Sequence, residues 1–263
     1  MEFLEYFIYN IAPALSAGNG TVFQDSPLLI SKYDFNFKRT IHVATSDLIY
    51  QKLFDSYRSK YLSKGSDDLR HVSGKSLSGI TSYGFVPYNW HLPYRMKGNA
   101  NVLIQLSDFS GNPNQLYLAY HGDQVLPVAP MDSHGEPVDY SKEKQGKIKV
   151  EPMIYESPAI TTGAAVGAEA QDTIQIDDTD FVCTAITGIT TDTGFVRIYD
   201  ANRQLDWQNQ KTHVQTLFGN GQFPNRLPSP RFVVRKSPIN ILFENLAGGA
   251  NTLRLYLHGY KRM

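Results

Sequence analysis

The sequence predicts an all-β chain built as two tandem antiparallel units of similar size. Three observations carry this. The stretch Ile239–Phe243 followed by Leu253–Leu257 alternates apolar and polar residues with period two, the mark of half-buried strands. Gly248-Gly249-Ala250-Asn251 lies between the two runs, so the pair reads as a hairpin. The same pattern is written earlier: residues 84–122 slide by 137 positions onto residues 221–259 without a gap, with ten identities in 39 positions.

The repeat is specific in detail. Ile104 meets Ile241, Leu106 meets Phe243, Phe109 meets Leu246, and Leu116 and Leu118 meet Leu253 and Leu255. Gly84, Pro87, Pro93, Gly111, Asn114, His121 and Gly122 meet identical residues. A fainter match precedes it: Leu28–Ile30 with Asp34-Phe35 falls on Ile174–Ile176 with Asp180-Phe181 at an offset of 146. A repeat of about a hundred residues is too long for a solenoid unit and has the size of a domain.

Taken in order, residues 1–17 form an N-terminal arm. Phe3, Leu4, Phe7, Ile8 and Ile11 recur at helical spacing and Pro13 ends the run, which predicts a helix. Phe3, Leu4, Phe7 and Ile8 are its candidate interaction residues, packing on a neighbouring subunit, lying on a membrane surface, or covering the chain's own core; the lack of Lys and Arg favours protein contact over the membrane. Residues 18–122 form the first unit. Strand candidates stand at Thr21–Phe23, Leu28–Ile30, Phe35–Phe37 and Thr40–Val43, and a helix is expected over Asp47–Leu62 with Ser46 as its cap. Lys64–Ser82 reads as a loop. Residues 123–170 hold Pro127, Pro130, Pro137, Pro152 and Pro158 and form a connecting segment with a strand near Lys147–Tyr155. Residues 171–263 form the second unit, with strands at Thr173–Ile176, Phe181–Ile186, Phe195–Tyr199, Val214–Leu217, Arg231–Val234, Ile239–Phe243 and Leu253–Leu257. So many short strands in about ninety residues predict a sandwich or barrel.

Composition narrows function. The 263 residues carry 25 basic and 25 acidic side chains, a balance that argues against phosphate neutralisation, which needs a basic face, and no sequence-specific nucleic-acid partner is expected. The start, Met1–Glu5, is acidic where a secretory signal is basic. Cys183, the single cysteine, sits in a strand-like run and reads as an inert buried thiol. Gly74-Lys75-Ser76 lacks the upstream glycine of a phosphate loop, and neither a nucleophile elbow nor a zinc-binding His-Glu-x-x-His is present. Asn19-Gly20-Thr21 fits a glycosylation acceptor, which has no meaning without export. Asp177, Asp178 and Asp180 are candidate calcium ligands, but they lack the glycine and distal glutamate of a calcium loop and read first as a solvated turn. His121 and His258 are repeat-equivalent and suit a shared local hydrogen bond. No catalytic residue, cofactor or metal site is expected, and the chain does not read as an enzyme.

Two eight-strand-sized β units in tandem, with the closing Ile239–Leu246 and Leu253–Tyr260 runs, resemble the double jelly-roll major capsid proteins of icosahedral phages and viruses. The resemblance covers roughly residues 18–122 and 172–260. It implies two tandem eight-stranded jelly rolls, with the 47–62 helix and about nine extra residues setting the first apart. It also implies a homotrimer acting as a pseudo-hexameric tile, a shell of many copies in the virion, and contacts with other virion proteins or an internal membrane. The alternative is a carbohydrate- or receptor-binding β-sandwich of the virion, with Trp90 and Trp207 as stacking platforms, or a head or neck accessory protein of a tailed phage.

Overall fold

The computed structural model describes residues 2–15, 24–44, 49–62, 72–73, 87–108 and 112–263. The chain is all-β, with antiparallel sheets throughout. It divides into two compact units: an N-terminal unit of residues Ile8–Gln124, and a C-terminal unit of Met1–Phe7 with Val125–Met263.

The strands of the N-terminal half are β1 (Phe3–Ile11), β2 (Ala14–Leu15), β3 (Gln24–Leu29), β4 (Asp34–Ala44), β5 (Ile49–Asp55), β6 (Lys60–Tyr61), β7 (Val72–Ser73), β8 (Tyr88–Met96), β9 (Asn101–Asp108) and β10 (Asn114–Leu126). Those of the C-terminal half are β11 (Val150–Glu156), β12 (Ile160–Thr161), β13 (Glu169–Gln175), β14 (Asp180–Thr190), β15 (Gly194–Asp200), β16 (Leu205–Asp206), β17 (Thr212–His213), β18 (Asn225–Val233), β19 (Pro238–Asn245) and β20 (Thr252–Arg262). The first set forms the sheets β1-β10-β4-β8, with β2 beside β10, and β3-β9-β5-β6, with β7 beside β5. The second forms β11-β20-β14-β18, with β12 beside β20, and β13-β19-β15-β16, with β17 beside β15. Adding ten to every label of the first pair of sheets yields the second pair.

Register repeats as well as order. Leu28 pairs with Val102, and their equivalents Ile174 and Ile239 pair in the second half. A β-bulge interrupts β4 between Phe37 and Arg39 and recurs in β14 between Cys183 and Ala185, 146 residues on. The four non-glycine residues with left-handed backbone among the described residues are two repeat pairs: Ser59 with Gln204, and Asn99 with Lys236. Such residues are uncommon, so their coincidence marks the same turns built twice.

The core of each unit lies on the inward residues of its two sheets. Ile104, Leu106, Leu116 and Leu118 are buried in the N-terminal unit, as are Ile241, Phe243, Leu253 and Leu255 at the matching positions of the C-terminal unit. Gly122 and Gly259 explain the identity at that position. A Cβ on Gly122 would stand 1.9 Å from the Asn36 carbonyl oxygen, and one on Gly259 would stand 1.9 Å from the Val182 carbonyl oxygen. Only glycine lets the last strand cross its neighbour there.

Three expectations are corrected. The N-terminal helix is the strand β1. Its residues FLEYFIYNI are buried on both faces, except Leu4, so apolar residues fall on odd and even positions alike and mimic helical spacing. The helix over 47–62 is replaced by β5, a turn and β6, and residues 45–48 lie outside the described residues. A shift of 145 aligns Leu53-Phe54-Asp55 and Arg58 with Ile198-Tyr199-Asp200 and Arg203, and so β5 with the strand β15. Val214–Leu217 is one helical turn rather than a strand, because the His213 side chain accepts a hydrogen bond from the Gln215 N–H at its start.

The connecting segment carries β11 and β12, which pair with β20. The extra residues of the first half fall in three places. The offset drops from 146 to 145 between β4 and β5, to 140 at β7, and to 137 at β8. The expected strand at 21–23, the loop 64–82 except for β7, and the pairs begun by Gly84, Phe109 and Gly111 lie outside the described residues.

Candidate functional site

The strongest concentration of chemistry is a buried charged cluster in the C-terminal unit, around the N-terminal segment. Glu5 is 1% exposed. Alternation along β1 turns its side chain inward, where it meets two arginines. Arg203 holds it with both ends of its guanidinium: Nη2 donates to Oε2 at 2.9 Å, and Nη1 donates to Oε1. Arg203 Nη1 also donates to the Phe232 carbonyl at 3.0 Å. Arg231, 1% exposed on β18, stands 3.6 Å from Glu5 Oε2 and donates from Nη1 to the Tyr6 carbonyl at 2.9 Å. Its guanidinium lies 5.5 Å from the ring centre of Trp207, itself fully buried.

Asp200, fully buried at the end of β15, completes the cluster. It accepts from the backbone N–H groups of Asn202 and Arg203 at 3.1 Å, fixing the turn that presents Arg203. Two carboxylates thus face two guanidiniums. Burial pushes the Asp200 carboxyl above its ordinary range and draws the Arg231 guanidinium down. Burial is the largest influence on Arg203 and works against its charge, but the hydrogen bonds to Glu5 and the negative charges of Glu5 and Asp200 together outweigh it and hold its pKa up. A buried charge of this kind is tolerated only when paired.

The N-terminal unit shows what is special here. Asp55 caps the same turn, accepting from Tyr57 N and Arg58 N at 3.0 and 3.2 Å. Tyr94 stands where Arg231 stands and donates its hydroxyl to Asp55 at 2.9 Å. The C-terminal unit has exchanged this neutral tyrosine for a buried cation, and Glu5 supplies the matching anion. Sequence reading missed the cluster. The available signal was Arg231 on the inward face of an expected core strand.

Of the four arm residues, Phe3, Phe7 and Ile8 are buried within the chain itself and Leu4 is half-buried. The Phe3 ring lies 5.5 Å from that of Tyr140. The three aspartates do not converge. Asp177 pairs with Lys261 at 2.7 Å and Asp178 with Lys236 at 3.1 Å. Asp180 accepts from Arg235 N and Ser133 N at 2.9 Å. Its first bond is again a repeat feature, since Asp34 accepts from Gly98 N at the matching place. No group of three or more such side chains suited to a metal ion occurs among the described residues.

Cys183 is buried, and burial raises its thiol pKa far beyond the reactive range. His258 Nε2 lies 2.7 Å from the Thr187 hydroxyl, while its equivalent His121 is fully buried. Trp207 is a core residue. Trp90 is half-buried between Phe37 and Tyr88, with ring centres 6.5 and 6.3 Å away. Neither tryptophan is a free platform. No helix among the described residues is long and apolar enough to cross a membrane.

No protein-family profile matches the chain, and no curated protein does. Among solved structures, the chain is similar to the N-terminal CBM22-1-CBM22-2 tandem domain from Paenibacillus barcinonensis Xyn10C. That match has 5% identity over 98% of this chain and 94% of the other, with a TM-score of 0.19. At that score the likeness carries no argument.

Proposed function

We propose that the protein is a virion structural protein: a double jelly-roll major capsid protein, three copies of which make a pseudo-hexameric tile of an icosahedral phage shell. One observation supports this above all. The C-terminal half repeats the N-terminal half in sheet order, register, bulge position and left-handed turn residues. The order of the two sheets in each half, with short accessory strands at the edges, supports the jelly-roll reading.

The duplication has a geometric use. Three chains around a threefold axis present six like units, so a true threefold covers area with near-sixfold packing. Balanced charge, 25 basic against 25 acidic residues, suits a surface that must meet copies of itself many times. Negative-stain electron microscopy of the concentrated protein tests the reading. Six-lobed tiles, or shells built from them, are the expected result. Fields of single two-lobed particles at every concentration would sink it.

A further inference from the structure

We propose that the C-terminal unit carries a binding groove for a small sugar acid, a polyhydroxylated ligand with one carboxylate, centred on Arg226, Ala185 and His258. The register places them together. Ala185 on β14 pairs with Arg226 of β18 on one side and His258 of β20 on the other. Directly paired residues leave the sheet on the same face, so the three form a row across it. The groove over this row has a volume of about 540 Å³, and Thr184, Thr187 and Pro224 also line it.

Two features hold it open. Ala185 follows the β14 bulge, and its methyl group leaves the floor low between two long side chains. The wall is a pinned loop. Asn220 Oδ1 accepts from Gln222 N and Phe223 N at 2.9 and 2.8 Å. A Cβ on Gly219 would stand 2.0 Å from the Phe223 carbonyl oxygen, so the loop closes only with glycine there. The N-terminal unit, built on the same strands, has Asn89, Arg39 and His121 at the matching positions, and its His121 is fully buried. The fold therefore does not require the groove.

The lining selects the ligand. Arg226 is exposed and makes no ion pair with any described residue, and no carboxylate lines the groove. A guanidinium fork matches a carboxylate in bidentate fashion. His258 is hydrogen-bonded to Thr187, and burial holds its pKa below the ordinary value, so at neutral pH it offers hydrogen bonds without charge. One cation suits a monoanion. Arg226 and His258 lie two strand spacings apart, roughly 9.6 Å between backbones, which leaves room for a single pyranose ring. Pro224 and the neighbouring Phe223, 46% exposed, offer apolar surface to the ring's C–H face.

The inference rests on the C-terminal unit alone and stands apart from the capsid reading. The full chain is titrated with glucuronate and with N-acetylneuraminate by saturation-transfer NMR and calorimetry, with acetate and glucose as the carboxylate-only and hydroxyl-only arms. Saturable binding of at least one sugar acid is expected. Acetate and glucose should each bind roughly tenfold or more weakly, and Arg226→Gln should weaken the sugar acid by a similar factor, the loss of a charge-assisted hydrogen-bond pair. Ala185→Arg, which gives the groove the N-terminal unit's residue, should abolish binding while the melting temperature of Arg226→Gln stays unchanged. Absence of binding by both sugar acids, equal binding of acetate, or indifference to both substitutions would overturn the assignment. Oligomeric state, measured on the same sample, reports on the capsid reading independently.

Discussion

Replacing Glu5 by Gln removes the anion that two buried arginines share. Arg231 and Glu5 are each 1% exposed, and the Arg203 side chain is 13% exposed. Water therefore cannot take over the lost partner without opening the unit. Gln is nearly isosteric, so packing is kept and only charge and acceptor capacity change. Breaking a buried pair from one side costs about 3–5 kcal/mol, because the remaining charge stays desolvated. For a unit of this size, about 2–4 °C per kcal/mol translates this into a fall in melting temperature of roughly 6–20 °C.

Glu156 provides the control. It pairs with Arg254 at 2.6 Å, but the two side chains are 47% and 50% exposed. Glu156→Gln should cost under about 1 kcal/mol. Urea and thermal unfolding of the full chain, followed by circular dichroism and calorimetry, compare the two. The loss in Glu5→Gln should fall on the transition of the C-terminal unit. Equal small effects from both substitutions would refute the claim that the N-terminal segment is part of that unit's core. Deleting residues 1–17 removes Glu5 as well, and should destabilise the C-terminal unit as the substitution does.

Leu255→Asp, at a fully buried position on β20, should abolish soluble folding through an unpaired buried carboxylate costing several kcal/mol; normal yield and melting would show that the face is not core. Gly259→Ala should cost about 1–3 kcal/mol by forcing β20 away from β14, and Gly122→Ala should do the same in the N-terminal unit, so a neutral melting curve for either would contradict the duplicated close approach. Burial lowers the pKa of His213 to about 4 from an ordinary 6.5. The unfolded chain then binds the proton more readily. The contribution is full above about pH 6.5 and is lost as pH falls toward 4, up to about 3 kcal/mol. His213→Gln should flatten that stretch of the stability profile, and identical profiles for the two proteins would exclude the group as its source.

The duplication was legible because it is carried by residues with one possible use. Gly122 and Gly259 are held by a close approach, and Ile104, Leu116 and their partners by a buried face of period two. Strand β1 and strand β5 were not legible from periodicity. A strand buried on both faces has no polar phase, and in β1 Tyr6, Ile8 and Phe3, Phe7 serve opposite faces of the same strand. The turn after β5 was readable only by alignment, since Asp55 and Arg58 match Asp200 and Arg203 at a shift of 145, between the two shifts already evident. The charged cluster was hidden for a different reason. Glu5 and Arg231 are 226 positions apart, and nothing local to either signals the other. The Arg226–His258 row was hidden too, because it depends on the bulge that brings Ala185 into register with both.

The mass of the full-length protein in solution, measured by light scattering across a range of concentrations, tests the central claim most directly. One chain is 29.6 kDa. The account predicts a species of three chains, about 89 kDa, that persists on dilution and feeds larger assemblies on concentration. A single chain at every concentration would contradict it.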